Sequence, residues 1–415
     1  MEDTSVPNGS PTLMRAINTA RVIRELRTAG PMSRASLVRA TGLSKPTITN
    51  VVASLDSMKY VERVAKSSEA SASQRSKGEL YAYRASRGQV IGIDIGADKV
   101  LLLLADLAGT VLGSARFNVR ATTRPGPGAI FDEIAKASSK LLADAGGSQE
   151  SLLAVVVGTP GVISPDGIVT MAPQLDGWEG LDLRAAVAAL YTCPVIVQNE
   201  VSLSLEAERW RGVAQGINDA LFVQLGIGVG AGVLVDGKIR NGADGGAGEI
   251  GQMPYPQRGE GGEIEFVPLE SQASGGALLR RGQALAKTPA GAQLLRLANG
   301  NAADVDAFVV FKTVREGDSA ATALMRDVIA ILAWGISCVT CVLNPQTIVI
   351  GGGWCRAADL FLPDLQARVS TSVPFPPEWF VSVLGDEAVA LGAVHRATEY
   401  VEQELFTTAD PRRSL

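Results

Sequence analysis

Residues 220–239 read "ALFVQLGIGVGAGVLVDGKI": an apolar strand, a glycine-rich turn, a second apolar strand and a further tight turn. The theme recurs in "QVIGIDIGADKVLLLLADLAGTVLGSARF" (89–117), "LLAVVVGTPGVIS" (152–164) and "PVIVQNE" (194–200). Helical stretches such as 128–145 and 201–211 lie between them. Strands alternating with helices predict an α/β body whose ligands sit near the carboxyl ends of strands. The glycines of "GIGVGAG" (226–232) suit close approach to a phosphate, but glycines also make hairpins, so this turn alone decides little.

Outside the body, charge changes sign. Residues 1–90 carry 14 Lys/Arg against 7 Asp/Glu, whereas the remainder carries 24 against 36. A basic front on an acidic body predicts a polyanion-binding head. At 415 residues the chain is long enough for two or three domains. The acidic start "MEDTSVPNGS" lacks the features of a signal peptide, and no long uncharged apolar run stands out, which predicts a cytoplasmic protein with no membrane partner. Four cysteines make no disulfide framework. Cys338 and Cys341, inside "IAILAWGISCVTCVLNP", read as one buried helix face rather than half of a metal site.

The head has internal grammar. Leu13, Ile17, Val22, Ile23 and Leu26 fall near helical spacing and are followed by Gly30-Pro31. Ser33 can cap a short second helix carrying Leu37, Val38 and Ala40; Gly42 can take the left-handed turn, and Ser44 can cap a third helix. Pro46 is tolerated in the first turn of that helix, and Ile48, Val51, Val52 and Leu55 form its buried face. Its other face shows Lys45, Pro46, Thr47, Thr49 and Asn50, suited to base edges and phosphates in a major groove. A strand, a Ser-rich tip and a strand follow, a wing with Arg75 and Lys77 at its tip. The expected partner is an inverted-repeat operator in double-stranded DNA, bound by a homodimer or tetramer.

The order and spacing of the pieces resemble the ROK family of repressors and sugar kinases over nearly all of residues 12–405. The resemblance rests on "DIGADK" (94–99), "GTPGVISPDGIVTMAPQLDGW" (158–178), "QNE" (198–200), "GIGVGAGVLVDGKIRNGADGGAGEIGQ" (226–252), "LESQASG" (269–275) and "NPQTIVIGGG" (344–353). It implies an actin-like, two-lobed, ribonuclease H-like α/β body behind a winged helix–turn–helix. The expected divisions are a head at 1–86, a first lobe at 87–200, a second at 201–387, and a terminal helix and tail at 388–415 returning to the first lobe. The head selects the repressor branch, since the family's sugar kinases lack one.

The resemblance also assigns residues, and this chain departs at several. Glu200 stands where the kinases have a catalytic aspartate, Asp98 where the first phosphate turn carries threonine, and Ile227 where the second does. These changes argue against phosphoryl transfer: a misplacement of about 1 Å at Glu200 can cost on the order of a hundredfold in rate, a carboxylate at Asp98 repels phosphates, and Ile227 offers a hydrocarbon in place of a hydroxyl. The family's zinc histidine is replaced by Gln252, the loop 253–268 has no cysteine, and the chain's single histidine is His395, expected to be a packing or surface residue. No cofactor is therefore expected, and the Gly-rich, acidic loop is expected to be mobile. Gln174, Asn199, Glu200, Glu249, Gln252 and Glu270 match positions that bind sugar hydroxyls in the family. The sequence thus predicts a non-enzymatic regulator with a small sugar-like effector. The alternatives are a sugar kinase with a regulatory head and a regulator governed by a protein partner.

Overall fold

A computed structural model describes residues 11–64, 79–119, 126–172, 175–259 and 261–407. The head opens with α1 (Pro11–Ala29), β1 (Met32–Ser33), α2 (Arg34–Thr41) and α3 (Lys45–Ser57), and closes with β2 (Val61–Val64) and β3 (Leu80–Tyr83). Both expected caps form: Ser36 N–H donates to Ser33 Oγ at 3.1 Å and Thr47 N–H to Ser44 Oγ at 3.3 Å. Gly42 takes the left-handed conformation, φ +69°, between α2 and α3. Ile48, Val51, Val52 and Leu55 are buried. On α1 the buried stripe is Ala16, Thr19, Ile23 and Leu26 together with Val22. Ile17 falls one position off that stripe and is 52 % exposed, contrary to the sequence reading. Ala40 of α2 is likewise exposed, and Thr41 takes the buried place. Antiparallel β2 and β3, with Val61 opposite Tyr83, make the stem of the wing.

The first lobe contains β4 (Gln89–Ile95), β5 (Lys99–Asp106), β6 (Val111–Asn118), α4 (Pro127–Asp144), β7 (Leu152–Thr159), β8 (Val162–Ile163), β9 (Val169–Met171), α5 (Leu183–Ala188) and β10 (Val195–Asn199). Its sheet runs β10-β7-β4-β5-β6, parallel across β10, β7 and β4 and antiparallel from β4 to β6. Alternation splits β4 between two cores. Ile91, Ile93 and Ile95 pack with Ile130 and Ile134 of α4, while Val90 joins the opposite face.

Helix α6 (Glu200–Arg211) leads to the second lobe: β11 (Ala220–Leu225), β12 (Val229–Val235), β13 (Lys238–Ile239), β14 (Pro254–Arg258), β15 (Ile264–Pro268), α7 (Leu269–Gln272), α8 (Gly275–Ala286), α9 (Ala292–Leu297), α10 (Ala307–Arg315), α11 (Ser319–Leu343), β16 (Thr347–Gly351), α12 (Ala358–Ser372) and β17 (Glu378–Val381). The sheet order is β13-β12-β11-β16-β17. Helix α11 is long and apolar enough to cross a membrane. Here Val328, Ile329, Leu332 and Ile336 bury it in the core of this lobe. Its C-x-x-C does not form a buried face as expected: Cys341 is exposed and Cys338 half-buried, while Ser337 and Thr340 face inward. Within the segment whose composition suggests a mobile loop, β14 and β15 pair antiparallel. Tyr255 pairs with Val267, and its ring meets Trp334 of α11 edge-on at 5.3 Å.

Helix α13 (Ala388–Thr407) then returns to the first sheet, on the face opposite α4. Val389, Ala390, Ala393, Val394 and Ala397 pack there with Val90, Leu101, Leu103, Ala154 and Val156. The same apolar cluster continues into the head through Val22, Ile23, Leu26, Leu55 and Tyr81. Head and first lobe therefore share one core.

Candidate functional site

Two surfaces carry the chemistry that the sequence points to. On α3, Lys45, Pro46, Thr49 and Asn50 are exposed on the side opposite the core, and Thr47 is half-buried. Thr47 Oγ1 lies 2.8 Å from Ser44 Oγ, so its hydroxyl is partly engaged in capping the helix. Arg75 and Lys77 lie outside the described residues.

The second surface is a cleft of about 320 Å³ at the strand ends where the two sheets meet. The turn after β4 gives it Gly96, Ala97, Asp98 and Lys99; the end of β10 and start of α6 give Asn199 and Glu200; the second lobe gives Gln224, Ile227, Glu249, Gln252 and Glu270. The sequence-assigned residues Asn199, Glu200, Glu249, Gln252 and Glu270 are thus brought together, while Gln174 lies outside the described residues. The volume falls in the range of small-molecule pockets.

Local sequence explains the presentation. Asn199 caps α6, its Oδ1 accepting from Val201 N–H at 2.8 Å and Ser202 N–H at 3.2 Å. Its Nδ2 donates to Gly161 O at 2.9 Å, so Asn199 mainly shapes the cleft wall and keeps little capacity for a ligand. Gly248 presents Glu249: its φ is +95°, and a Cβ there would fall 1.8 Å from the carbonyl oxygen of Ala231. No other residue type fits that approach.

Glu200 Oε1 accepts from Gln224 Nε2 at 2.7 Å, and Glu270 Oε1 accepts from Gln252 Nε2 at 2.7 Å. Glu270 Oε2 accepts from Val229 N–H at 3.3 Å. Burial, aided by the nearby charge of Asp94, pushes the Glu200 carboxyl up to about 8 despite the hydrogen bond from Gln224. Burial raises Asp94 itself to about 7, and burial and Glu270 together raise Glu249. Both glutamines spend an N–H on a carboxylate, and with the Lys99 ammonium and the raised Glu200 carboxyl beside them the cavity offers both donors and acceptors. Such a mixed lining suits a ligand rich in hydroxyls, each of which both donates and accepts.

Sequence reading missed Gln224, Asp94 and Lys99. Lys99 Nζ stands 3.0 Å from Asp386, nearly 300 residues away, a pairing that only the fold reveals. At the glycine-rich turn, Gly226 O accepts from Gly275 N–H at 2.8 Å and Ile227 O from Gly276 N–H at 2.9 Å, so the first amides of α8 are already taken. Gln252 is engaged by Glu270, and the sequence from 252 to 268 holds neither histidine nor cysteine. His395 lies between helices, its Nδ1 3.1 Å from Glu206 and its ring 5.0 Å from Trp210.

The ROK family profile matches residues 90–399. The xylose repressor of Caldicellulosiruptor bescii is 27 % identical, covering 93 % of this chain and 96 % of its own. The N-acetylglucosamine repressor of Escherichia coli is 26 % identical over 88 % of this chain and 87 % of its own. The glucokinase of Halalkalibacterium halodurans is 27 % identical but covers 73 % of this chain and 92 % of its own. Among solved structures, a ROK family transcriptional regulator described as a homolog of the E. coli MLC protein superposes with TM-score 0.75 at 20 % identity, over 96 % of this chain and 100 % of its own. A Streptomyces griseus ROK glucokinase, solved with glucose and AMPPNP, gives TM-score 0.61 at 26 % identity over 75 % of this chain and 100 % of its own. The regulators match over most of the chain and the kinases over about three quarters of it, which leaves room for a head in the former.

Proposed function

The chain belongs to the ROK family, and from that premise we propose that it is a cytoplasmic DNA-binding transcriptional repressor whose operator affinity is set by a sugar-like effector in the cleft. One observation carries the reading: α3 rests on the same apolar core as Leu203 and Ala207 of α6, the helix whose first residue, Glu200, lines the cleft. Two copies would place two α3 helices in successive major grooves of an inverted repeat, because one short helix reads too few base pairs alone. The effector acts only through unequal affinity for two arrangements of that dimer. A swing from 1:99 to 99:1 requires about 5.5 kcal/mol of differential binding.

A second reading, phosphoryl transfer to a sugar, has one observation in its favour. The raised Glu200 carboxyl lies near the value useful to a general base at neutral pH. Against it stand Asp98 and Ile227 at the phosphate turns and the occupied amides of α8. The residues of the cleft bind and orient in our reading; they do not transfer phosphate.

The deciding experiment is selection of duplexes from a randomised pool by the full chain, alone and with xylose, glucose or N-acetylglucosamine. We expect an inverted repeat to be enriched, its retention to change with one of these sugars, and no ADP to form from ATP alongside. Failure to enrich any sequence, or turnover near the roughly 1–100 s⁻¹ of kinases, rules the proposal out.

A further inference from the structure

Helix α13 reaches from the cleft to the head. Just before its first turn, Asp386 stands 3.0 Å from Lys99, which lines the cleft, and 3.6 Å from Arg116. Along its middle it is pressed against α6, the helix that starts at Asn199 and Glu200. A Cβ on Gly392 would lie 1.9 Å from the Leu203 carbonyl oxygen, and His395 meets Glu206 at 3.1 Å. Near its far end, Glu402 Oε1 accepts from Arg27 Nη1 of α1 at 2.6 Å, with the two side chains 10 % and 17 % exposed. From His395 to Glu402 the helix advances about 10 Å at its 1.5 Å rise per residue.

The rest of this junction is mostly apolar, and apolar packing is non-directional: it holds surfaces together without fixing an angle. A shielded guanidinium–carboxylate contact is directional. Helix α1 in turn carries α3, through the shared core and through Arg15 Nη2 donating to Ser54 Oγ at 3.0 Å. We infer that Arg27 and Glu402 are positioning residues for operator recognition. They fix the angle at which α1 and α3 leave the body, so that the separation of two recognition helices in a dimer is a property of α13. This rests on the DNA-binding reading above, and it locates the step by which a change at the cleft reaches the DNA.

The test uses the full chain and the duplex that wild type enriches from a randomised pool. That duplex is compared with its single half and with versions whose halves are moved apart by a few base pairs. Wild type should prefer its own spacing. Glu402→Gln and Arg27→Gln should cut that preference on the order of tenfold, a loss of about 1.4 kcal/mol in discrimination, while single-half binding stays at the wild-type level. The paired exchange Arg27→Glu with Glu402→Arg should restore part of the preference, which damage to folding would not. Retention of the wild-type spacing preference in Glu402→Gln and Arg27→Gln overturns the inference and leaves the DNA-binding reading standing. Parallel loss of single-half binding also overturns it, because the pair would then serve only to fold the head. If wild type enriches no sequence, both readings fall.

Discussion

Glu200 combines burial with two acidic neighbours, Asp94 and Glu249, and its carboxyl rises to about 8. The unfolded chain ionises this group near the ordinary carboxyl value, so between roughly pH 4.5 and 8 the folded state holds a proton that the unfolded state has released. The resulting stability is present at low pH and is lost as pH rises through that window. Thermal unfolding of wild type between pH 5 and 8 should show this decline, and Glu200→Gln should flatten it. An unchanged slope would mean that Glu200 is ionised in the fold. On α3, Asn50 is exposed and free of the capping contact that occupies Thr47. Asn50→Ala should cost about 1–3 kcal/mol at the enriched duplex and relax its sequence preference. Equal weakening on all sequences would reassign Asn50 to the backbone.

Elements show which parts of the fold could be read in advance. The caps Ser33 and Ser44 and the turn at Gly42 depend on residues within a few positions of one another, and each stands where local chemistry puts it. The pairing of β14 with β15 is not legible locally, because glycines and acids suggest a loop, whereas the cross-strand register and the seat of Tyr255 on Trp334 arise from the fold. The cleft was half legible. Its glutamates came from matched motifs, but Gln224 and the Lys99–Asp386 pair depend on elements meeting across the fold. Helix α13 illustrates the same limit, since nothing within its own sequence announces a neighbour on three sides. Its closest approach gives a prediction. Gly392→Ala would drive a methyl into the Leu203 carbonyl and should destabilise the protein by about 1–3 kcal/mol, measured by denaturant unfolding. A neutral outcome would show that α6 and α13 can separate without loss.

At the scale of the whole molecule, the acidic body and basic head are one mechanical unit, and we expect it to hold together without metal. Gln252 is hydrogen-bonded to Glu270, and β14 and β15 beside it are held by main-chain pairing. Chelator should leave the melting temperature and DNA retention of the untagged protein unchanged, and elemental analysis should find no stoichiometric zinc. One zinc per chain would contradict this account. The shared core also sets an order of events at birth. The head is made first, yet Arg27 waits for Glu402, 375 positions later in the chain. At about 5–20 residues per second, that wait lasts on the order of tens of seconds. Until then the apolar side of α1 that seats on α13 has nothing to rest on. A ribosome-bound chain therefore carries every residue of α3 long before the contact that we infer aims it can form.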